Sequence, residues 1–178
     1  MGAPPAAFAV HVFSQCAAMA DSTRTPDALP SSAARMTMRE RMVAMLAGTW
    51  RAPSSELLGL EFVAVEPDFA AVEMAALPAH GNPMGTLAGG ILTALADLSM
   101  GGAYAEGLAE GESFTTIELK INFLKPVWQG RLRAEGRVVK RGRTVGLVEC
   151  DVRNAQGQLV ARASSTCLTL RGDEAGGR

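Results

Sequence analysis

A single carboxylic acid, Asp97, stands inside a long apolar stretch, residues 88–105. Gly89 and Gly90 open this stretch, and its apolar spacing predicts a helix without a polar face, which is typical of a buried helix. The first N–H groups of a helix have no partner within it and lie at the positive end of its dipole. Since the two glycines carry no side chain, a substrate carbonyl could approach those N–H groups as in an oxyanion hole. Asp97, two turns later, could activate a water molecule or attack as a nucleophile.

Asp97 and Asn82 each have a structural alternative. An acid in an apolar helix is costly unless it is paired or poised for proton transfer. Asp97 could therefore accept backbone N–H bonds or form an ion pair at an interface. The amide of Asn82 is suited to orienting the water or the carbonyl. However, Asn82 precedes Pro83, and this pair of residues also forms turns.

A short helix is predicted at residues 36–48, where the spacing is helical and the pattern ends at a glycine. Its methionines share one side, and Arg39, Glu40 and Arg41 lie largely on the other. Pro53 then prevents the helix from resuming.

Six strands complete the predicted domain, at residues 58–66, 69–77, 114–124, 131–140, 143–153 and 158–170. Apolar and polar side chains alternate along 114–124, so we expect Ile117, Leu119, Ile121 and Phe123 on one buried face. The order is two strands, one buried helix and four strands in meander form. This order indicates an α+β fold with an antiparallel sheet.

Composition narrows the class of protein. The 178 residues allow one domain, expected at 36–172 with its core at 55–170. A net charge of −1 gives no reason to expect a nucleic acid or membrane partner. Three cysteines without a CxxC pair argue against a disulfide framework, and two histidines argue against a metal site. We expect a cytoplasmic protein whose reduced Cys150 and Cys167 fill the core.

The sequence predicts that the two ends of the chain lie outside the folded domain. Residues 6–20 are mildly apolar, but no Lys or Arg precedes them and they are too short to cross a bilayer. Residues 21–35 read as a linker, so 1–35 is expected to be a disordered or weakly helical extension. The polar tail 173–178 is expected to fray.

The stretch from Asn82 to Asp97 resembles the PaaI-like acyl-CoA thioesterases. Their signature is an Asn, then His-Gly-Gly, then an acid on the central helix. Here Asn82 stands six residues before Ala88, Gly89 and Gly90 follow Ala88 directly, and Asp97 stands nine residues after it. The resemblance implies hydrolysis of acyl-CoA thioesters to a free acid and coenzyme A.

The resemblance extends over about residues 55–170. Residues 121–126 and 163–169 are similar to the family's third and last strands. It implies the hotdog fold, in which an antiparallel sheet wraps around one long buried helix. It also implies a homodimer or homotetramer, with the Gly N–H donors of one chain facing the acid of another. Coenzyme A is part of the substrate, so no separate cofactor is expected.

Further residues are expected to contact the substrate around Asp97, Gly89 and Asn82. They are Gly90, Leu87, Ala88, Ile91, Lys125, Arg141 and Arg143. Leu87 and Ile91 would help form the acyl pocket, and the three basic residues stand where the family places groups near the CoA phosphates. Arginine matches phosphate through its forked donors. The alternative for these basic residues is an ordinary solvated hairpin tip.

Ala88 is a departure from the family, whose signature has His at this position. The glycines still supply backbone donors, but the hydrogen bonds of an imidazole are lost. His80 could reach the gap, although a loop histidine is more often solvated. The change leaves a non-hydrolytic acyl-CoA binding or sensing protein as an alternative. A hotdog dehydratase or hydratase is disfavoured because histidine is scarce, and a purely structural oligomerisation module is a further alternative.

Overall fold

The computed structural model describes residues 36–175, which form three α-helices and six β-strands. The helices are α1 (Met38–Leu46), α2 (Pro53–Leu58) and α3 (Gly89–Glu106). The strands are β1 (Glu61–Glu66), β2 (Phe69–Ala76), β3 (Ser113–Phe123), β4 (Gly130–Arg141), β5 (Val145–Asn154) and β6 (Leu159–Leu170). Short 3-10 turns occur at Pro78–His80 and Gly172–Ala175. The extension 1–35 and the last three residues of the predicted tail lie outside the described residues.

The strands form one antiparallel sheet in the order β1-β2-β4-β5-β6-β3, and α3 packs against it. Many residues of α3 are buried, including Leu95 and Met100, which are fully enclosed. The predicted α+β hotdog architecture is therefore confirmed. Cys150 and Cys167 are unpaired and buried in the core, as predicted. Among the described residues, no helix is long and apolar enough to cross a membrane, and no cluster of side chains could hold a metal ion.

The predicted four-strand meander is wrong at its first step. Strands β4, β5 and β6 are consecutive neighbours, but β3 pairs with β6 at the edge of the sheet, while β4 pairs with β2. The segment after β3 does not turn back, because its backbone is bonded elsewhere. The N–H groups of Leu124 and Lys125 donate to the carbonyl of Val160, and the carbonyl of Val127 accepts from Leu87. Pro126 has no N–H to contribute to a hairpin ladder at this point.

Helix α2 was missed by the sequence analysis, and β1 begins at Glu61 rather than at residue 58. Pro53 starts this helix instead of preventing one, because a proline at the first helical position lacks only an N–H that would be unpaired anyway. Gly59 ends it with a φ of 64°, the left-handed conformation that favours glycine after a helix.

Close packing fixes the height of α3 over the sheet. A Cβ at Gly136 would lie 2.5 Å from the carbonyl oxygen of Ser99, so only glycine lets β4 approach the helix backbone here. The hydroxyl of buried Ser99 donates to the carbonyls of Ala70 and Ala134, at 3.0 and 3.2 Å. These contacts hold α3 rigidly along β2 and β4 and thereby place Asp97.

Strand β3 buries a different set of side chains from the predicted one. The strand has a bulge between Thr116 and Glu118, and Ile117 is 55% exposed. An extra residue in one strand reverses the alternation of faces. Leu119 and Ile121 pack against the core as expected, but Phe123 is 54% exposed. Before the bulge, the side chains directed towards α3 are Phe114 and Thr116.

Candidate active site

Asp97 is half-buried on α3 and receives one hydrogen bond among the described residues. The hydroxyl of Thr116 on β3 donates to its Oδ1 at 3.2 Å. Burial raises the pKa of the Asp97 carboxyl above its ordinary value, and the bond from Thr116 opposes that rise in part. A carboxylate with a raised pKa and no cationic partner is suited to proton transfer rather than to a structural ion pair.

An apolar cavity of about 240 Å³, here called the Asp97 cavity, opens beside this carboxylate. It lies between α1 and α3, next to the start of β3. Its lining includes Met38, Met42, Met45, Trp50, Leu98 and Phe114 in addition to Asp97 and Thr116. Such a cavity could hold an apolar substituent with its reactive end at Asp97.

The start of α3 offers two unpaired N–H donors. Within residues 36–175, the backbone N–H groups of Gly89 and Gly90 have no hydrogen-bond acceptor. A Cβ at Gly90 would meet no atom within 4 Å, so the space beside its Cα is open. The ring of Phe123 lies closely over Gly89, where an added Cβ would be 2.9 Å from the ring. Both predicted oxyanion-hole donors are therefore unpaired in the described part of the chain, and Gly90 is exposed.

The N–H donors and the carboxylate are well separated along one helix. Asp97 follows Gly89 by eight positions, which at a rise of 1.5 Å per residue is roughly 12 Å along the helix axis. A reacting carbonyl must lie about 3 Å from both kinds of group. One carbonyl therefore cannot contact the Gly89 N–H and the Asp97 carboxylate of the same helix.

Asn82 is engaged within its own loop. Its Oδ1 accepts from the N–H groups of Met84 and Thr86 at 2.9 and 3.2 Å, and its Nδ2 donates to the Thr86 hydroxyl at 2.9 Å. This is the side-chain-to-backbone pattern of a turn-forming Asn. The loop it shapes leads directly into α3, so Asn82 positions the glycines. Its predicted contact with substrate stays a prediction.

Ala88 is the N-cap of α3 and provides no side-chain cap. Its own N–H donates to the carbonyl of His80 at 2.9 Å. The expectation that His80 is solvated is wrong, since the residue is 8% exposed and its Nδ1 accepts from the N–H of Leu77 at 3.3 Å. The Pro78–His80 turn buries this ring beneath the loop. His80 thus supports the backbone at the N-cap, and its imidazole has a local role.

Leu87 and Ile91 do not line the Asp97 cavity. Leu87 is buried and lines a separate cavity of about 330 Å³ at the start of α3, together with Gly89 and Phe123. Ile91 is half-buried and packs against the core. The apolar volume next to the Asp97 carboxylate is instead bounded by α1, and the acyl pocket predicted around Leu87 and Ile91 stays a prediction.

The three predicted phosphate-binding residues differ in availability. Arg141 donates to the carbonyl of Tyr104 at 3.0 Å and to Asp68 at 2.9 Å, and its guanidinium lies 4.4 Å from the centroid of the Tyr104 ring. The Lys125 side chain is exposed, and its Nζ donates to Oε1 of Gln158 at 2.6 Å. Arg143 is exposed at the β4–β5 turn and has no ion pair there. Arg143 and Lys125 are exposed and, within residues 36–175, form no ion pair, whereas Arg141 closes the end of α3.

Comparison with known proteins identifies the family. Residues 84–161 match the family model described as Thioesterase superfamily. A protein of Saccharolobus solfataricus, named a "putative esterase", is 34% identical over 116 residues, which cover 65% of this chain and 82% of that protein. The chain belongs to the thioesterase superfamily. The predicted family is thus confirmed, and membership supports hydrolysis of a thioester or ester.

Solved structures of other proteins share this fold. The conserved protein PA5202 of Pseudomonas aeruginosa is 32% identical with a TM-score of 0.64, and the match covers 67% of this chain and 95% of that one. The E. coli PaaI protein from the phenylacetic acid degradation operon has a TM-score of 0.66 at 23% identity, covering 76% and 98%. At that identity the likeness shows the fold alone.

Thr116 and Arg41 line the Asp97 cavity and are not among the predicted site residues. Thr116 looked like a solvent-facing strand residue because the bulge is invisible in the alternation. Arg41 was placed on the polar side of its helix, yet it lines the Asp97 cavity. Its signal was present, since Arg41 lies three residues after Met38 and four before Met45, a spacing that shares one helix face.

Proposed function

We propose that this protein hydrolyses acyl-CoA thioesters to a free acid and coenzyme A. The observation that carries the proposal is the half-buried Asp97 carboxylate beside a mainly apolar cavity. Within residues 36–175 it forms no ion pair, and the start of its helix leaves two N–H groups unpaired. Family membership and the thioesterase and esterase names of relatives point the same way. Coenzyme A belongs to the substrate, so the proposal includes no cofactor. We place the reaction in the cytoplasm.

In the proposed reaction Asp97 acts as general base. Its carboxylate takes a proton from water while the water oxygen bonds to the thioester carbonyl carbon. The N–H groups of Gly89 and Gly90 donate to the oxyanion that forms, and one such donor contributes about 3 kcal/mol to the barrier reduction. When the carbonyl re-forms, the C–S bond breaks and the leaving sulfur takes the proton from Asp97.

Asp97 as nucleophile is the alternative route to the same products. The carboxylate would bond to the carbonyl carbon and expel the CoA thiolate, leaving a mixed anhydride that water then cleaves. Rapid-quench mass spectrometry separates the routes. An acyl group found on the peptide that carries Asp97 indicates the nucleophile, and its absence during turnover indicates the general base.

A second copy of the chain completes the site in this proposal. The separation of roughly 12 Å along α3 prevents Gly89 and Asp97 of one chain from meeting at one carbonyl. Strand β3 is at the edge of the sheet with Ile117 and Phe123 exposed, and such an edge can meet a second copy. We therefore propose a homodimer at least, with the donors of one copy facing the acid of its partner; a homotetramer is compatible with the same contact.

Mixing two inactive variants tests this arrangement. Gly90→Val and Asp97→Ala each remove one half-site. If sites lie across copies, co-refolded chains contain hybrid dimers with one intact site, so activity should return to about a quarter of the wild-type value. Mixtures without refolding serve as the control. No recovery after verified subunit exchange would place the whole site within one chain.

A direct test compares hydrolysis of a panel of acyl-CoAs by wild type and Asp97→Ala. We expect the variant to lose at least about a hundredfold in kcat. Equal rates would exclude the assigned role of Asp97.

The second candidate, a non-hydrolytic acyl-CoA binding protein, is motivated by Ala88 at the N-cap. It predicts tight binding of CoA esters by calorimetry with no turnover at any chain length.

A further inference from the structure

The Asp97 cavity contains one cationic side chain, which the proposed hydrolysis does not use. Among its lining residues, Arg41 is the only base and Asp97 the only acid. The two do not form an ion pair in the described part of the chain. The rest of the lining is apolar apart from Thr116, which is bonded to Asp97.

Arg41 is buried in part without a partner. Its Nε is inaccessible to solvent and has no hydrogen-bond acceptor within residues 36–175. The neighbouring acid, Glu40, is occupied by the capping box of α1, where its carboxylate accepts from the N–H of Thr37 at 2.7 Å. A buried guanidinium donor ordinarily has an acceptor. An acceptor supplied by a ligand in the cavity would satisfy it.

We propose that the Asp97 cavity binds acyl groups that end in a carboxylate, with Arg41 as the residue that recognises it. This inference rests on the proposed acyl-CoA hydrolysis and names its substrate class: the monothioesters of coenzyme A with short dicarboxylic acids. The thioester carbonyl lies at Asp97, the methylene chain crosses the methionine-lined wall of α1, and the terminal carboxylate pairs with the guanidinium. Arginine suits this role because its planar fork matches a carboxylate.

The cavity wall supports a chain rather than a bulky ring system. Three methionines of α1, Met38, Met42 and Met45, line one side of it. Methionine side chains are flexible and adapt to irregular apolar ligands. On the opposite wall, formed by α3, Gly101 and Gly102 contribute no side chain beside Leu98 and Ala105. A charged group on the far end of such a chain meets only Arg41 as a counter-ion among the lining residues.

The test compares adipoyl-CoA with hexanoyl-CoA, two esters of the same chain length that differ in the terminal carboxylate. We expect wild type to favour adipoyl-CoA by at least about tenfold in kcat/KM. Arg41→Gln should lose this preference, because its kcat/KM should fall much further for adipoyl-CoA than for hexanoyl-CoA. Arg41→Lys should restore part of it, because the charge is kept.

Arg39→Gln is the matched control. Arg39 is exposed on the same helix, and the substitution removes the same charge as Arg41→Gln. It should retain the full preference for adipoyl-CoA. Melting curves of all variants establish that they fold. A wild-type preference for hexanoyl-CoA would overturn the proposal, as would equal losses on both esters in Arg41→Gln.

Failure of the acyl-CoA hydrolysis itself has a different signature. If no ester is cleaved, calorimetric titration of wild type and Arg41→Gln with the same two esters still decides the subsite. At least tenfold tighter binding of adipoyl-CoA, lost in Arg41→Gln, would support the subsite in a binding protein. Equal affinities would overturn it independently of catalysis.

Discussion

The Thr116 hydroxyl donates to Oδ1 of Asp97 at 3.2 Å and so joins edge strand β3 to the central helix α3. Burial disfavours the charged form of this acid, and the hydroxyl stabilises it, which lowers the pKa of Asp97 relative to what burial alone would give. Thr116 is therefore a positioning residue that also adjusts the basicity of the proposed base.

Thr116→Val should move the acid limb of the pH–rate profile to higher pH. Valine has the shape of threonine without the hydroxyl, so the pKa of Asp97 rises further and the carboxylate forms only at higher pH. The profile of kcat/KM against pH for wild type, Thr116→Val and Thr116→Ser measures this. Serine keeps the donor and should keep the wild-type limb. Coincident limbs for wild type and Thr116→Val would show that the hydroxyl does not act on Asp97.

Asp97→Asn should stabilise the fold at neutral pH. Because burial raises the pKa of Asp97 in the folded chain above its ordinary value of 3.8, the native state binds a proton more readily than the unfolded chain. The contribution of this group to stability is present below pH 3.8 and is lost as pH rises through the folded pKa. Asparagine still accepts from Thr116 but carries no charge.

Thermal unfolding at several pH values checks this. We expect a higher Tm for Asp97→Asn than for wild type at pH 7 and a difference that closes on acidification. A lower Tm at pH 7 would mean that the Asp97 charge is stabilised in the folded protein, for example by a partner subunit.

Alanine at Gly89 and at Gly90 should act differently. At Gly90 a Cβ meets no atom, so Gly90→Ala should be at least as stable as wild type. Its methyl group nevertheless hinders the carbonyl, and we expect kcat to fall roughly tenfold to a hundredfold. At Gly89 the Cβ displaces the Phe123 ring, and the free energy of unfolding should fall by about 1 kcal/mol. Urea unfolding measures the stability of each variant, and steady-state kinetics measures its kcat. An unchanged kcat in Gly90→Ala would argue against a role of the Gly90 N–H in the oxyanion hole.

Substitutions at Arg141 and Arg143 should have different effects, the first on stability and the second on substrate binding. Arg141→Gln loses the bond to the Tyr104 carbonyl and the stacking on its ring, so the free energy of unfolding should fall by about 2 kcal/mol. Arg143→Gln should stay within about 0.5 kcal/mol of wild type. If exposed Arg143 meets the CoA phosphates, its removal raises KM and lowers the salt dependence of KM. Equal KM values for wild type and Arg143→Gln would exclude that contact.

Substitutions at Ala88 should show what the missing histidine contributes. Ala88→Ser adds a side-chain cap to α3 and should stabilise the protein by about 1 kcal/mol without changing kcat. Ala88→His should raise kcat/KM about tenfold if an imidazole at the N-cap assists the thioester. A gain with serine equal to that with histidine would attribute the effect to capping of α3. No gain with histidine would mean that the backbone donors suffice.

The elements of this fold were largely predictable, because they follow from local patterns. The helix that carries Asp97 and five of the six strand locations agree closely with the predicted ranges. The exception is the segment around residue 58, where Pro53 and Gly59 delimit a short helix. A proline that ends one helix can begin the next, and spacing alone does not separate these cases.

The site was predictable only in its parts. The sequence shows two glycines at the start of a helix and a single acid among its apolar residues. The unpaired N–H groups and the burial of Asp97 follow from these positions along one helix. The engagement of Arg141 with Tyr104 could not be foreseen, since these residues are far apart in sequence. The use of the Asn82 amide within its loop was one of two readings that the sequence leaves open.

What the sequence by itself determined is the content of α3: an apolar helix with two glycines at its start and one acid two turns later. What only the tertiary structure decided is what meets that acid. A single bulge in β3 reverses the alternation of faces, and so turns Thr116 rather than Ile117 towards Asp97. The packing of α1 on α3 brings Arg41 to the same cavity. Both depend on contacts between distant segments, and local periodicity carries no record of such contacts.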